Sequence, residues 1–154
     1  WRRWRRRGAL LMQPQIRALP EMSPPQAYWR GTITALVVAL PAGIMNQALV
    51  SGGDIEAGSP WAILFWILIM FGAAGGGWAV RRLSPQSHLA WAAGAAATAY
   101  GIVQAIGVVR RLIIGESISW LAYPFLALLM ATCGVLGAIY AGRMTRRYGD
   151  DADS

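Results

Sequence analysis

The side chains that could do chemistry are few in this 154-residue chain, and they are badly placed for catalysis. His88 is the only histidine and Cys133 the only cysteine. The acids Glu21, Asp54, Glu56, Glu116, Asp150, Asp151 and Asp153 all lie outside the long apolar runs. No Ser/His/Asp set can be assembled within those runs, and no carboxylate pair occurs there. Gly75, Gly76 and Gly77 lack the preceding strand and the lysine of a phosphate loop. One cysteine makes no internal disulfide, and one His and one Cys make no zinc site. Cys133 reads as a small packing residue, and His88 as a polar edge residue. The inventory predicts a protein that is not an enzyme, with no catalytic residue, metal or cofactor. What remains is a set of hydrogen-bond donors: the amides of Asn46, Gln47 and Gln104 and the guanidinium groups of Arg110 and Arg111. Donors of this kind bind an anion, a lipid headgroup or a small solute. They also bond helix to helix, and the arginines could pair with Asp54, Glu56 and Glu116 in a screened surface network.

The elements that must carry these residues are apolar. Hydrophobic residues make up 56% of the chain and charged residues 14%, against about 25% charged in a soluble domain, so water is the wrong solvent for this surface. Four runs, 31–50, 61–80, 89–109 and 120–141, contain no Asp, Glu, Lys or Arg. Each is about 20 residues, or about 30 Å as a helix, the thickness of a bilayer core. A chain in hydrocarbon must satisfy its own backbone, so the runs are predicted as helices. Ser23-Pro24, Ser59-Pro60 and Ser84-Pro85 each offer a capping serine with proline at the first helical position. Ser117 or Ser119 is the candidate cap for the fourth helix. Pro41 should kink the first helix, and Pro124 falls in the first turn of the last. The fold class expected is an all-α integral membrane protein with four transmembrane helices. It divides into an arginine- and tryptophan-rich segment (1–23), the helical domain (24–147) and an acidic tail (148–154).

Orientation follows from arginine. Arg2, Arg3, Arg5, Arg6, Arg7, Arg17, Arg30, Arg81, Arg82, Arg143, Arg146 and Arg147 fall on one side of a four-span topology, and only Arg110 and Arg111 on the other. The positive side is the cytoplasmic one, so both termini are expected inside. Trp29, Trp78, Trp91 and Tyr140 would mark the inner interface, and Trp61, Trp120 and Tyr123 the outer. The head arginines Arg2, Arg3, Arg5, Arg6 and Arg7, with Trp1 and Trp4 among them, suit contact with anionic lipid headgroups, each adding about 1 kcal/mol. They are not a folded nucleic-acid module, and no nucleic-acid partner is expected.

Small residues recur at helical spacing. Ala93, Ala97, Gly101 and Ala105 are spaced by one helical turn on the third span. With Gly72, Gly75, Gly134 and Gly137 they are the expected helix-packing residues, with Gly101 at a close contact. A weak internal repeat pairs residues 71–81 (FGAAGGGWAVR) with 133–143 (CGVLGAIYAGR), and Gly53-Asp54 with Gly115-Glu116. A duplicated helical hairpin is one explanation and chance recurrence of small residues the other. The glycine-rich end of the second span with Arg81-Arg82, the run Ala99-Tyr100-Gly101-Ile102-Val103 and the closing Gly134-Val135-Leu136-Gly137 together resemble the YrzE-like family of small four-helix bacterial membrane proteins. The resemblance covers about residues 31 to 143 and implies the fold and a multi-pass place in the bacterial plasma membrane, with no functional residues. The function expected is an assembly, anchoring or regulatory subunit, in contact with the bilayer and forming a homo-oligomer or joining a larger membrane complex. The alternative is a small oligomeric channel or facilitator.

Overall fold

The computed structural model describes residues 21–115 and 120–150. The expectations for the head arginines Arg2, Arg3, Arg5, Arg6 and Arg7, for Glu116, Ser117 and Ser119, and for residues 151–154 lie outside that range. Four helices make up the bundle: α1 (Pro24–Gly52), α2 (Pro60–Leu83), α3 (Leu89–Ile114) and α4 (Ala122–Asp150). No strand occurs among the described residues. All four helices are long and apolar enough to cross a membrane.

Helix starts follow local chemistry, with one exception. Ser59 accepts a hydrogen bond from the Ala62 amide at 3.3 Å and caps α2 ahead of Pro60. Ser23 precedes Pro24 at the start of α1 without a side-chain cap bond. Ser84-Pro85 does not start α3, contrary to expectation. Ser84 is the C-cap of α2, and the next helix begins at Leu89. Ser87 explains the shift: its hydroxyl donates to the Ser84 carbonyl at 2.7 Å, closing a tight turn, and the Arg81 guanidinium donates to the Ser87 carbonyl at 2.8 Å. α1 runs unbroken through Pro41. At the other end of the bundle α1 and α3 both stop on glycine in the left-handed region, Gly53 (φ 80°) and Gly115 (φ 73°), where a Cβ would be strained.

The packing inverts that of a water-soluble bundle. Buried positions are mostly alanine and glycine, and the largest fully buried side chains are Met130, Val80 and Thr32. The large apolar side chains point outward, among them Val37, Phe71, Ile113, Leu121 and Phe125. Continuous exposed apolar surface of this kind would drive aggregation in water. In hydrocarbon it costs nothing, and helices associate through close van der Waals contact between small residues. Exposed Trp29, Trp78, Trp91 and Tyr140 ring the end that carries the 84–88 turn, and Trp61 and Trp120 the opposite end.

α2 and α3 each touch every other helix, whereas α1 and α4 do not meet among the described residues. Glycine sets the closest approaches. A Cβ on Gly77 would overlap the Gly134 backbone, and one on Gly137 would overlap the Ala74 carbonyl. At Gly76 it would stand 2.7 Å from the Gly31 carbonyl oxygen, and at Gly134 the same distance from that of Ala92. A Cβ on Gly72 would stand 3.1 Å from the Ala35 carbonyl oxygen. Gly72, Gly134 and Gly137 are thus packing residues.

The other packing assignments need correction. Gly101 is exposed with nothing near its Cβ position, Ala105 is exposed, and Gly75 also meets nothing. Ala93 and Ala97 are only half-buried. The buried face of α3 runs instead through Ala92, Ala95, Ala96, Ala99 and Tyr100. The alanine-rich stretch satisfies four-residue spacing in several registers, and burial selects a different one.

Candidate functional site: a polar pocket at one end of the bundle

The close backbone contacts gather toward the end carrying the 84–88 turn. Toward the end carrying the connections 53–59 and 115–121, bulkier side chains separate the helices. Gln47 and Val50 on α1, Trp66 and Ile69 on α2, and Val103 and Gln104 on α3 take the place of glycine and alanine. Between them lies a pocket of about 430 Å³, within the usual size of ligand sites. α1 contributes Gly43, Asn46, Gln47, Val50 and Ser51 to its wall, and α3 contributes Val103, Gln104, Gly107, Arg110 and Arg111. Trp66 and Ile69 come from α2, Tyr123 from α4 and Ala57 from the first connection, so all four helices enclose it.

All of the ligand-binding residues expected from sequence, Asn46, Gln47, Gln104, Arg110 and Arg111, line this one pocket. Two helical periodicities bring them together. Gly43, Asn46, Gln47 and Val50 lie on one face of α1, and Gln104, Gly107 and Arg111 on one face of α3. Gly107 is buried, and the Gln47 amide lies over it: a Cβ there would be 3.5 Å from Gln47 Nε2.

Arg110 does not pair with Asp54 or Glu56. Arg110 Nη2 donates to the Ser51 hydroxyl at 3.0 Å, and that hydroxyl donates on to the Gln47 carbonyl at 2.6 Å. This chain of bonds fixes the last turn of α1 to the last turns of α3. Asp54 and Glu56, both exposed in the first connection, form no ion pair with Arg110 among the described residues. Among the described residues, no Asp or Glu lines the pocket. Its polar wall is therefore cationic or neutral, rich in donors, and partly shielded from water by Trp66, Ile69, Val103 and Tyr123. A carboxylate or phosphate is the group such a wall holds, because guanidinium forks match its oxygens and a low local dielectric strengthens the contact. Among the described residues, no histidine, cysteine or carboxylate lines it. His88 is exposed at the start of α3, and Cys133 is half-buried on α4.

Among the described residues, two buried oxygens lack partners: Asn46 Oδ1 and the Tyr100 hydroxyl. An unmet buried polar group costs about 1–3 kcal/mol, so both mark places where packing alone did not choose the residue. Sequence reasoning missed Ser51, Gly107, Trp66, Ile69 and Tyr123. Ser51 and Gly107 follow from stepping one helical turn from Gln47 and Gln104. Trp66 and Ile69 carried no sign in their own run, where every residue is apolar.

Comparison with protein-family models, curated proteins and solved structures finds no match, so the site is interpreted on its own geometry.

Proposed function

We propose that this chain is a non-enzymatic, multi-pass membrane protein that holds an organic anion in the pocket between its outer helix ends. The observation that carries this reading is the convergence of Arg110, Arg111, Gln47, Gln104 and Asn46 on one pocket, with no acid in its wall among the described residues. The exposed apolar surface and the two aromatic levels support a membrane location. The arginine bias supports cytoplasmic termini in a bacterial plasma membrane, which places the pocket mouth outside. Impermeant thiol labelling in a Cys133→Ala background tests the orientation: Gly58→Cys should label from outside intact cells, and Ser154→Cys only after lysis. The reverse pattern would overturn it.

An assembly or regulatory role for the loaded protein, and the YrzE-like resemblance, fit this reading. So does a duplicated hairpin: Gly53 and Gly115 cap their helices alike, and Gly72 meets α1 much as Gly134 meets α3. The facilitator alternative finds less support. Backbone contacts at Gly76, Gly77, Gly134 and Gly137 leave no room for a path through the inner half of a single chain, so an oligomeric facilitator would need its path between chains.

Native mass spectrometry of the detergent-purified protein tests ligand holding. Adducts with a soluble dicarboxylate or with phosphatidylglycerol, offered separately, distinguish a free solute from a lipid headgroup. Arg110→Gln with Arg111→Gln should abolish the adduct and lower thermal stability by no more than about 1 kcal/mol, as for exposed charges. Equal adducts in wild type and double variant would eliminate the pocket as the binding site.

A further inference from the structure

Below the pocket lies a second, much smaller cavity of about 10 Å³, lined by Ala35, Ala39, Ile69, Ala73, Ala96, Ala99, Tyr100 and Met130. Ile69 is the residue common to both walls. Tyr100, 4% exposed, packs in the cluster formed by Ala39, Ala42, Ile69 and Met130, and Trp66 and Val103 of the pocket wall lie against that cluster. Its place on α3 is one helical turn below Val103 and Gln104 and two below Gly107, on the face that lines the pocket. The hydroxyl has no partner among the described residues. A water would not supply one, because the cavity is at the lower limit of size for a single molecule and almost wholly apolar, and a buried water needs two to four polar partners. For packing alone, phenylalanine would serve better at this position.

We propose that Tyr100 is the deep binding group of the pocket, set behind Ile69, and that the site selects an elongated organic anion with a hydrogen-bond acceptor at each end. A dicarboxylate is the simplest member of that class. One end meets Arg110 and Arg111, the stem lies along Trp66 and Val103, and the far carboxylate displaces the Ile69 side chain and accepts from the Tyr100 hydroxyl. Arg110 and Tyr100 stand about 15 Å apart along the α3 axis. The Arg110 guanidinium turns aside to Ser51, so most of that length is left for a carbon chain with a hydrogen bond at each end. Ile69, as the partition, sets the length of ligand that can enter.

This inference rests on the anion-pocket reading, so its test keeps the two apart. Heptanedioate and heptanoate share one carboxylate and one chain length, and differ in the second acceptor. Titrating each into the detergent-solubilised protein, wild type should prefer heptanedioate. Tyr100→Phe should weaken heptanedioate about 10- to 100-fold, the range of one hydrogen bond to a charged group, and leave heptanoate unchanged. Its melting temperature should not fall, since an unmet hydroxyl is removed. Ile69→Ala, an independent variant, should favour heptanedioate further over heptanoate. If Tyr100→Phe shifts both anions alike or neither, the role of Tyr100 is overturned, and so it is if Ile69→Ala leaves the preference unchanged. If wild type binds neither, or Arg110→Gln with Arg111→Gln leaves both bound, the pocket reading itself fails and this inference fails with it.

Discussion

The two halves of the bundle use the same helices to opposite ends. Toward the 84–88 turn, Gly31, Gly76, Gly77, Gly134 and Gly137 bring backbone against backbone, and alanines fill the space between. Toward the opposite end, Gln47, Trp66, Ile69 and Gln104 stand where glycine and alanine stood, and the same four helices enclose a donor-lined pocket. The difference teaches how an open site can be held without a large hydrophobic core. Lipid supplies no driving force for helix association, so contact area between small residues must supply it. Concentrating those contacts in one half frees the other to carry polar groups.

A matched pair of substitutions probes this contrast most strongly. Gly77→Leu forces a side chain into the Gly134 backbone and should destabilise the bundle by about 3 kcal/mol or more, seen as a large drop in melting temperature or loss of a monodisperse peak in size-exclusion chromatography. Gly107→Leu adds the same bulk in the open half, where the first added atom meets only ordinary contacts with Gln47 and Gln104. It should fold within about 1 kcal/mol of wild type, by the tolerance of open sites, and lose anion binding. Equal losses of stability in both would break the contrast. A smaller effect sharpens it: Gly115→Ala, at φ 73°, should cost about 1 kcal/mol by strain at the end of α3, with ligand binding kept. A cost below detection would mean that the connection relaxes freely at the pocket mouth. Smallest of all should be Gly101→Leu, because nothing lies near that Cβ position. Unchanged melting temperature is expected; a marked fall, or a change of oligomeric state, would place Gly101 against another chain.

The parts legible in the sequence were those that depend on one helix at a time. Four charge-free runs gave four helices, and Ser59-Pro60 gave the start of α2. The donors of the pocket were legible because polar side chains in an apolar run are costly and so stand out. Helix rotation was not legible within the alanine-rich stretch of α3, where Ala92, Ala93, Ala95, Ala96, Ala97 and Ala99 carry no amphipathic contrast. The one available clue was Gln104. A face drawn through it takes in Tyr100 and Ala96 but also Gly101, three residues away, and the structure buries the first two and leaves Gly101 exposed. The start of α3 was misread because a serine–proline pair serves a turn as readily as a helix cap, and Ser87 decides between them. Trp66 and Ile69 could not be found at all, since an all-apolar run does not say which of its side chains faces a neighbour.

The absence of contact between α1 and α4 bears on how the chain is put together. Among the described residues, α1 is held by α2 and α3, and α4 by α2 and α3, so neither of the two waits for the other. As the polypeptide leaves the ribosome, α1 and α2 can close as a hairpin before α4 has been made. The later pair then docks through the glycines of α2. Severing the backbone in the 84–88 turn would divide the protein between two complementary fragments, each a complete hairpin. Coexpressed from separate messages, the halves carry between them every contact needed to rebuild the whole.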